Sequence, residues 1–198
     1  GLVARDLQTP AVRAIARAIA ATAVKKNISR MAVGYDARIS SPGIADEICR
    51  ILNAAGIDVV NIGLCPTPLL YYALSTLDVA GGVMITASHN PGEFNGLKVA
   101  FSKETIHGSE IQDLYVLAKE YYDNGPGQTE DAAGAEALTG CRTEQLDLNG
   151  EYRDYLVQNF LSLPPAGEGK RLKVVIDAGN GTGGILGPAA FNKINCDV

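Results

Sequence analysis

Tryptophan is absent, and all aromatic residues together make up only 6% of the 198 positions. So few flat rings exclude the stacking platforms that bind single-stranded nucleic acid. A basic surplus is also missing, since 17 Lys and Arg stand against 22 Asp and Glu for a net charge of −5. Nucleic-acid binders ordinarily carry the opposite balance, so no nucleic-acid partner is expected. The basic pair Lys25-Lys26 falls at the end of an expected helix, where it complements the helix dipole. Histidine occurs only at His89 and His107, and the four cysteines, Cys49, Cys65, Cys141 and Cys196, form no Cys-x-x-Cys pair. Neither a zinc site nor a disulfide framework has support, and reduced thiols in a cytoplasmic protein are the expectation. The apolar stretch Ala11–Val24 carries Arg13 and Arg17, so it reads as neither a signal peptide nor a membrane span.

What is present is globular: 46% hydrophobic and 20% charged residues. Thr9-Pro10 reads as a helix N-cap and first turn, followed by Val12, Ile15, Ile19 and Ala23 at helical spacing. Met31–Tyr35 reads as a strand. Ser41-Pro42 opens a helix through Ile44, Ile48, Ile51 and Leu52 that stops at Gly56. The β-branched run Ile57–Ile62 is a second strand, and Pro66-Thr67-Pro68 starts a third helix. Strands at Gly81–Thr86 and Leu97–Phe101 flank a polar loop, and Ser109 caps a helix running to Tyr122. Continuous apolar strands alternating with helices predict an α/β fold, a mainly parallel sheet sandwiched by helices. The pair 81–86 and 97–101 is too close for a helical crossover and is expected to be antiparallel.

Residues Asp123–Asn149, with Gly125-Pro126-Gly127, read as an irregular connection. Glu151–Leu161 returns to a helix, and Pro164–Gly169 is a linker. Lys173–Asp177 reads as a fresh strand, followed by Gly179-Asn180-Gly181-Thr182-Gly183-Gly184 and a helix start. The expected organisation is a first α/β domain over 1–150, then a connecting helix and the truncated start of a second, similar α/β domain over 151–198.

The chemistry concentrates in Thr86-Ala87-Ser88-His89-Asn90-Pro91-Gly92-Glu93-Phe94-Asn95-Gly96-Leu97-Lys98. It holds two hydroxyls, an imidazole, two amides and an ammonium group within thirteen residues. Pro91, Gly92 and Gly96 permit sharp turns, and strands at both ends restrict the side chains, as phosphoryl transfer requires. A phosphorylated serine carries roughly −1.5 to −2 charges. A lysine about 4 Å away contributes about 4 kcal/mol at an effective dielectric near 20. From spacing alone, a polar turn with a solvated lysine stands as the alternative.

The segment T-A-S-H-N-P-x-x-F-N-G-x-K resembles the phosphoserine loop of the α-D-phosphohexomutases, a family of four-domain enzymes. Val33-Gly34-Tyr35-Asp36-Ala37-Arg38-Ile39-Ser40 is similar to the family's G-x-D-x-R-x-S turn. Pro66-Thr67-Pro68 with Leu70-Tyr71-Tyr72-Ala73 is similar to the P-T-P-x-x-Y-Y-A pattern of its phosphoglucomutase/phosphomannomutase branch. Val174–Gly184 resembles the V-V-x-D-x-G-N-G turn that opens its second domain. The resemblance implies a mutase that interconverts hexose 1-phosphate and hexose 6-phosphate through a bisphosphorylated sugar. It implies Ser88 as phosphoryl carrier and, through a phosphoryl oxygen, as a Mg²⁺ ligand. His89 and Asn90 would orient phosphate and substrate, and Lys98 would assist proton transfer. Asn95 and Arg38 are further phosphate or substrate candidates, with a salt bridge to Asp36 the equal alternative for Arg38. Hexose 1,6-bisphosphate is the implied activator, and hexose phosphates are the implied partners. The family's D-G-D-x-D-R metal loop and its sugar-specificity and phosphate-clamping loops have no counterpart in these residues, so inactivity of this chain alone is expected.

Two rivals remain at this point. Gly179-x-Gly181-x-x-Gly184 with Asp197 satisfies a short dinucleotide-binding pattern, and a non-catalytic sugar-phosphate-binding domain would keep the same loop. His107 reads as a surface turn residue and Cys65 as a small core residue. Tyr71 and Tyr72 read as partly packed.

Overall fold

Pro10, Pro42 and Pro68 each occupy the first turn of a helix, where a missing N–H leaves no bond unmade. The computed structural model describes residues 1–125, 140–161 and 171–198. Its helices are α1 (Val3–Asp6), α2 (Thr9–Lys25), α3 (Ser41–Ala54), α4 (Thr67–Thr76), α5 (Ser109–Asp123), α6 (Asn149–Leu161) and α7 (Gly183–Lys193). Its strands are β1 (Arg30–Tyr35), β2 (Asp58–Leu64), β3 (Gly81–Ile85), β4 (Leu97–Phe101), β5 (Glu104–Thr105), β6 (Thr143–Gln145), β7 (Leu172–Lys173) and β8 (Cys196–Asp197). No described helix is long and apolar enough to cross a membrane.

Two helices end in the same way. After α3, Gly56 takes φ 84°, its N–H donates to Asn53 O at 3.0 Å, and Ile57 N–H donates to Leu52 O at 3.0 Å. After α2, Asn27 does the same work at φ 58°, with Asn27 N–H to Val24 O and Ile28 N–H to Ala23 O, both 2.9 Å. These paired bonds satisfy the helix-end carbonyls and turn the chain into the next strand. Ser109 does not cap α5. It is the first helical residue, and Gly108 at φ 54° precedes it without a side-chain cap.

Among the described residues the main sheet has six strands in the order β5-β4-β3-β1-β2-β6. β1 is parallel to β2 and β3, and β2 is parallel to β6. β3–β4 and β4–β5 are antiparallel. The fold is therefore a mainly parallel sheet with helices on both faces. Successive residues of a strand point to opposite faces, and the core divides accordingly. Met31, Val33, Val59, Val83, Ile85 and Val99 meet α2 and α3 on one face. Ala32, Val60, Ile62, Met84 and Ala100 meet α4, with Leu148, Tyr152 and Leu186, on the other.

β6 falls inside the stretch expected to be irregular. Its three residues are Thr, Glu and Gln, so no apolar pattern announces it. Main-chain bonds hold it instead: Val59 N–H to Arg142 O at 3.0 Å and Leu146 N–H to Asn61 O at 2.9 Å. Most of Gly125-Pro126-Gly127 and the whole linker 164–169 lie outside the described residues. The strand expected at Lys173–Asp177 is shorter, Leu172–Lys173, and pairs in parallel with β8 across α7. Beyond it Val174 N–H still donates to Asp197 O at 2.7 Å, but Val175 is 97% exposed.

Candidate active site

From β1 the chain crosses to β2 on one side, by α3. From β2 it returns past β1 to β3 by α4, on the opposite face. The order reverses between β1 and β3, and in open α/β sheets ligands occupy the crevice at the carboxyl ends of the strands that flank such a reversal. Two loops leave the sheet there: 36–40 after β1 and 86–96 after β3. The sequence motifs with the most polar character fall on these two loops.

The second loop starts where the β3–β4 ladder closes, with Ile85 opposite Leu97 and Thr86 N–H donating to Gly96 O at 2.9 Å. Ser88 lies at its tip, exposed, with φ 55°. A serine in this left-handed region is strained by about 1–2 kcal/mol. Its N–H donates to Thr86 Oγ1 at 3.0 Å, which fixes the main chain and leaves the hydroxyl outward. His89 and Asn90 follow, both exposed. Asn90 donates to Ala87 O from its main chain at 3.1 Å and from Nδ2 at 2.9 Å, tightening the turn beneath Ser88. Lys98 stands opposite Met84 in the ladder, on the sheet face that carries α4. It is half-buried.

Asn95 differs from the other polar loop residues. It is 1% exposed, and its Nδ2 donates to Ser40 Oγ at 2.8 Å and Ser41 Oγ at 2.9 Å. Its Oδ1 accepts from Gly96 N–H at 2.8 Å. The amide thus ties the loop's return to the start of α3 and offers little to a ligand. Arg38 is brought to the same loop, but its donors go to protein oxygens. Nε donates to Asp36 Oδ2 at 3.0 Å. Nη1 donates to Pro91 O at 2.6 Å and Phe94 O at 3.1 Å. Nη2 donates to Ser88 O at 3.1 Å and Asn90 O at 2.7 Å. The ion pair to Asp36, open as an alternative from sequence, is thus present alongside the loop contacts.

Asp36, Ser40 and Ser41, none of them a site candidate from sequence, belong to this network. Asp36 Oδ1 accepts from Ser41 Oγ at 2.6 Å and from Arg38 N–H at 3.1 Å, and Ser40 completes the contact to Asn95. The signal available was the Asp-x-Arg-x-Ser-Ser spacing itself. The outer side of the loop pairs with the start of the chain: Val3 N–H donates to Glu93 O at 2.9 Å, Asn95 N–H donates to Gly1 O at 3.0 Å, and Leu2 bridges Phe94.

Among the described residues no group of three or more His, Cys, Asp or Glu side chains is placed to hold a metal ion. The loop offers hard-cation oxygens at exposed Ser88 and Glu93, and a phosphoryl group on Ser88 would add more oxygens of the kind Mg²⁺ prefers. Cys65, at the carboxyl end of β2, is fully buried, and burial pushes its thiol up to about 12. That excludes a ready thiolate. Tyr72 packs against Tyr152 at 5.3 Å between ring centroids and Tyr155 at 5.2 Å. Its hydroxyl donates to Glu151 Oε1 at 2.7 Å, which pushes the phenol up to about 12. Tyr71 OH accepts from Thr105 Oγ1 at 3.3 Å. Around the glycine-rich turn 179–184, Asp197 is paired with Arg171 at 2.8 Å, so the acid required by a dinucleotide-binding reading already has a cation.

Comparison with known proteins identifies the family. The model for phosphoglucomutase/phosphomannomutase, alpha/beta/alpha domain I, matches residues 1–122. A phosphoglucomutase of Neisseria gonorrhoeae is 35% identical over 198 residues, which cover 100% of this chain and 39% of that protein. A phosphomannomutase/phosphoglucomutase of Pseudomonas putida is 32% identical with the same 100% and 39% coverage. The crystal structure of a phosphoglucomutase/phosphomannomutase family protein from Burkholderia thailandensis superposes with a TM-score of 0.79 at 30% identity, covering 100% of this chain and 41% of that one. The chain spans about two fifths of the length of these relatives. By its parallel sheet, by the serine loop at the strand-order reversal and by these matches, the chain belongs to the phosphoglucomutase/phosphomannomutase family.

Proposed function

We propose that this chain carries the phosphoryl-bearing serine, Ser88, of a mutase that interconverts hexose 1-phosphate and hexose 6-phosphate. The observation that carries the proposal is the placement of Ser88: an exposed hydroxyl on a strained, doubly anchored loop at the ligand-binding edge of the sheet. Family membership supports it.

In the forward step the bond between phosphorus and Ser88 Oγ breaks and a bond from phosphorus to the free sugar hydroxyl forms. The sugar hydroxyl loses its proton, and Ser88 Oγ gains one. The bisphosphorylated sugar turns over, and its other phosphoryl group returns to Ser88 with the opposite proton movements. Ser88 holds the group in line. Lys98 assists proton transfer at the sugar hydroxyl. His89 and Asn90 orient phosphate and sugar from beside the carrier. Positioning and charge, rather than new covalent chemistry, set the rate of such transfers. Mg²⁺, when bound, offsets charge on the transferring group, and this chain's contribution to holding it is one oxygen on phospho-Ser88.

The test is turnover of the enzyme that carries this segment, with glucose 1-phosphate or mannose 1-phosphate as substrate. Ser88→Ala is expected to abolish it. Unchanged turnover would rule out the serine as carrier.

A further inference from the structure

We infer that Arg38 is a positioning residue of the transfer site, acting through the main chain of the serine loop and touching neither phosphate nor sugar. The inference rests on the Ser88 reading above and deepens it.

Four carbonyls of the loop, those of Ser88, Asn90, Pro91 and Phe94, converge on one guanidinium. Converging carbonyl dipoles repel one another unless a cation sits among them. Between the closing ladder bond at Thr86–Gly96 and the tip, the main-chain bonds inside the loop are Asn90 N–H to Ala87 O and Phe94 N–H to Pro91 O. Those two bonds, with Ser88 N–H to Thr86 Oγ1 and Asn90 Nδ2 to Ala87 O, brace the turn from within. Arg38 ties it to the turn after β1, holding four carbonyls inward while Ser88, His89 and Asn90 stay exposed. Asp36 in turn fixes the guanidinium through Nε, and the Arg38 side chain is only 12% exposed. The five N–H groups of a guanidinium meet five oxygens here, which leaves no donor for a ligand. A lysine in its place keeps the charge but has three donors on a flexible stem and no planar fork.

The experiment pairs two readouts. In the enzyme carrying this segment, Arg38→Lys and Arg38→Ala are each expected to lower kcat by about a hundredfold, since small misplacement of a reacting group has effects of that size. KM for the hexose 1-phosphate should stay within about threefold, because no binding contact is lost. Added guanidinium ion should restore part of the Arg38→Ala rate, and methylammonium should not. In this chain itself, hydrogen exchange at the amides of Ser88, Asn90 and Phe94 should quicken about tenfold or more in Arg38→Lys, with β1 amides unchanged.

A raised KM with unchanged kcat would overturn the inference in favour of direct phosphate contact. So would kcat within about twofold of the parent, or unchanged loop exchange. Loss of protection throughout β1 would also count against it, because a clamp confined to the loop predicts an intact core. Absence of phosphoryl on Ser88 in the active parent enzyme would strike the mutase reading instead, and the exchange result would stand apart from it.

Discussion

At Ser88 the backbone takes a conformation that side chains with a Cβ resist, and the strain is local to the residue proposed to carry the phosphoryl group. Glycine adopts this region freely. Ser88→Gly should therefore be more stable than Ser88→Ala by about 1 kcal/mol, measured by urea unfolding, although both lack the hydroxyl. Equal stability of the two variants would mean that the left-handed conformation is not held in solution. A second residue-scale effect belongs to Glu47, which accepts from Arg50 at 2.8 Å and Arg13 at 2.5 Å. The hydrogen bond from Arg50, with a further one from Arg13, holds its carboxyl below the ordinary 4.5 despite partial burial. A carboxylate with a lowered folded value stabilises above its unfolded value and loses that contribution as pH falls through the folded one. Between pH 7 and pH 3 the urea midpoint of the parent should fall further than that of Glu47→Gln. Parallel curves would show that the Arg13–Glu47–Arg50 group adds nothing.

Among the elements, the two helix ends give a matched pair of tests. Gly56 at φ 84° and Asn27 at φ 58° occupy equivalent positions after α3 and α2. Gly56→Ala should destabilise by about 1 kcal/mol, and Asn27→Gly should stabilise by up to about 1 kcal/mol, both read from thermal or urea unfolding. These elements were largely legible in the sequence, because Pro10, Pro42 and Pro68 mark helix starts, Gly56 marks a stop, and the apolar spacing in α2 and α3 matches the face they bury. β6 was not legible, since Thr143, Glu144 and Gln145 carry no apolar pattern and are held by main-chain pairing to β2 and by distant side-chain bonds, Thr143 to Asn53 and Glu144 to Arg30. The loop motif announced Ser88 but not its anchoring. Arg38 bonds oxygens 50 to 56 positions away, and Asn95 is buried against serines 54 and 55 positions away. Contacts of that range leave no trace in local spacing, so the sequence offers Asn95 as a ligand candidate, and Arg38 as a ligand candidate or a salt-bridge partner of Asp36, without showing that both hold the loop.

For the whole molecule, the order reversal between β1 and β3 brings the Asp36–Ser40 turn and the serine loop to one edge of the sheet. This chain spans about two fifths of the length of its relatives. Given glucose 1-phosphate, glucose 1,6-bisphosphate and Mg²⁺, it is expected to show no turnover by itself in a coupled assay, and multiple turnover at the rate of a full enzyme would contradict that. The most direct measurement is made on the active enzyme that carries this segment. Its intact mass and peptide map are recorded after incubation with glucose 1,6-bisphosphate and again after a hexose monophosphate is added in excess. One phosphoryl group on Ser88 that appears in the first state and is depleted in the second is the predicted result. Full activity with Ser88 unmodified in both states would contradict the account.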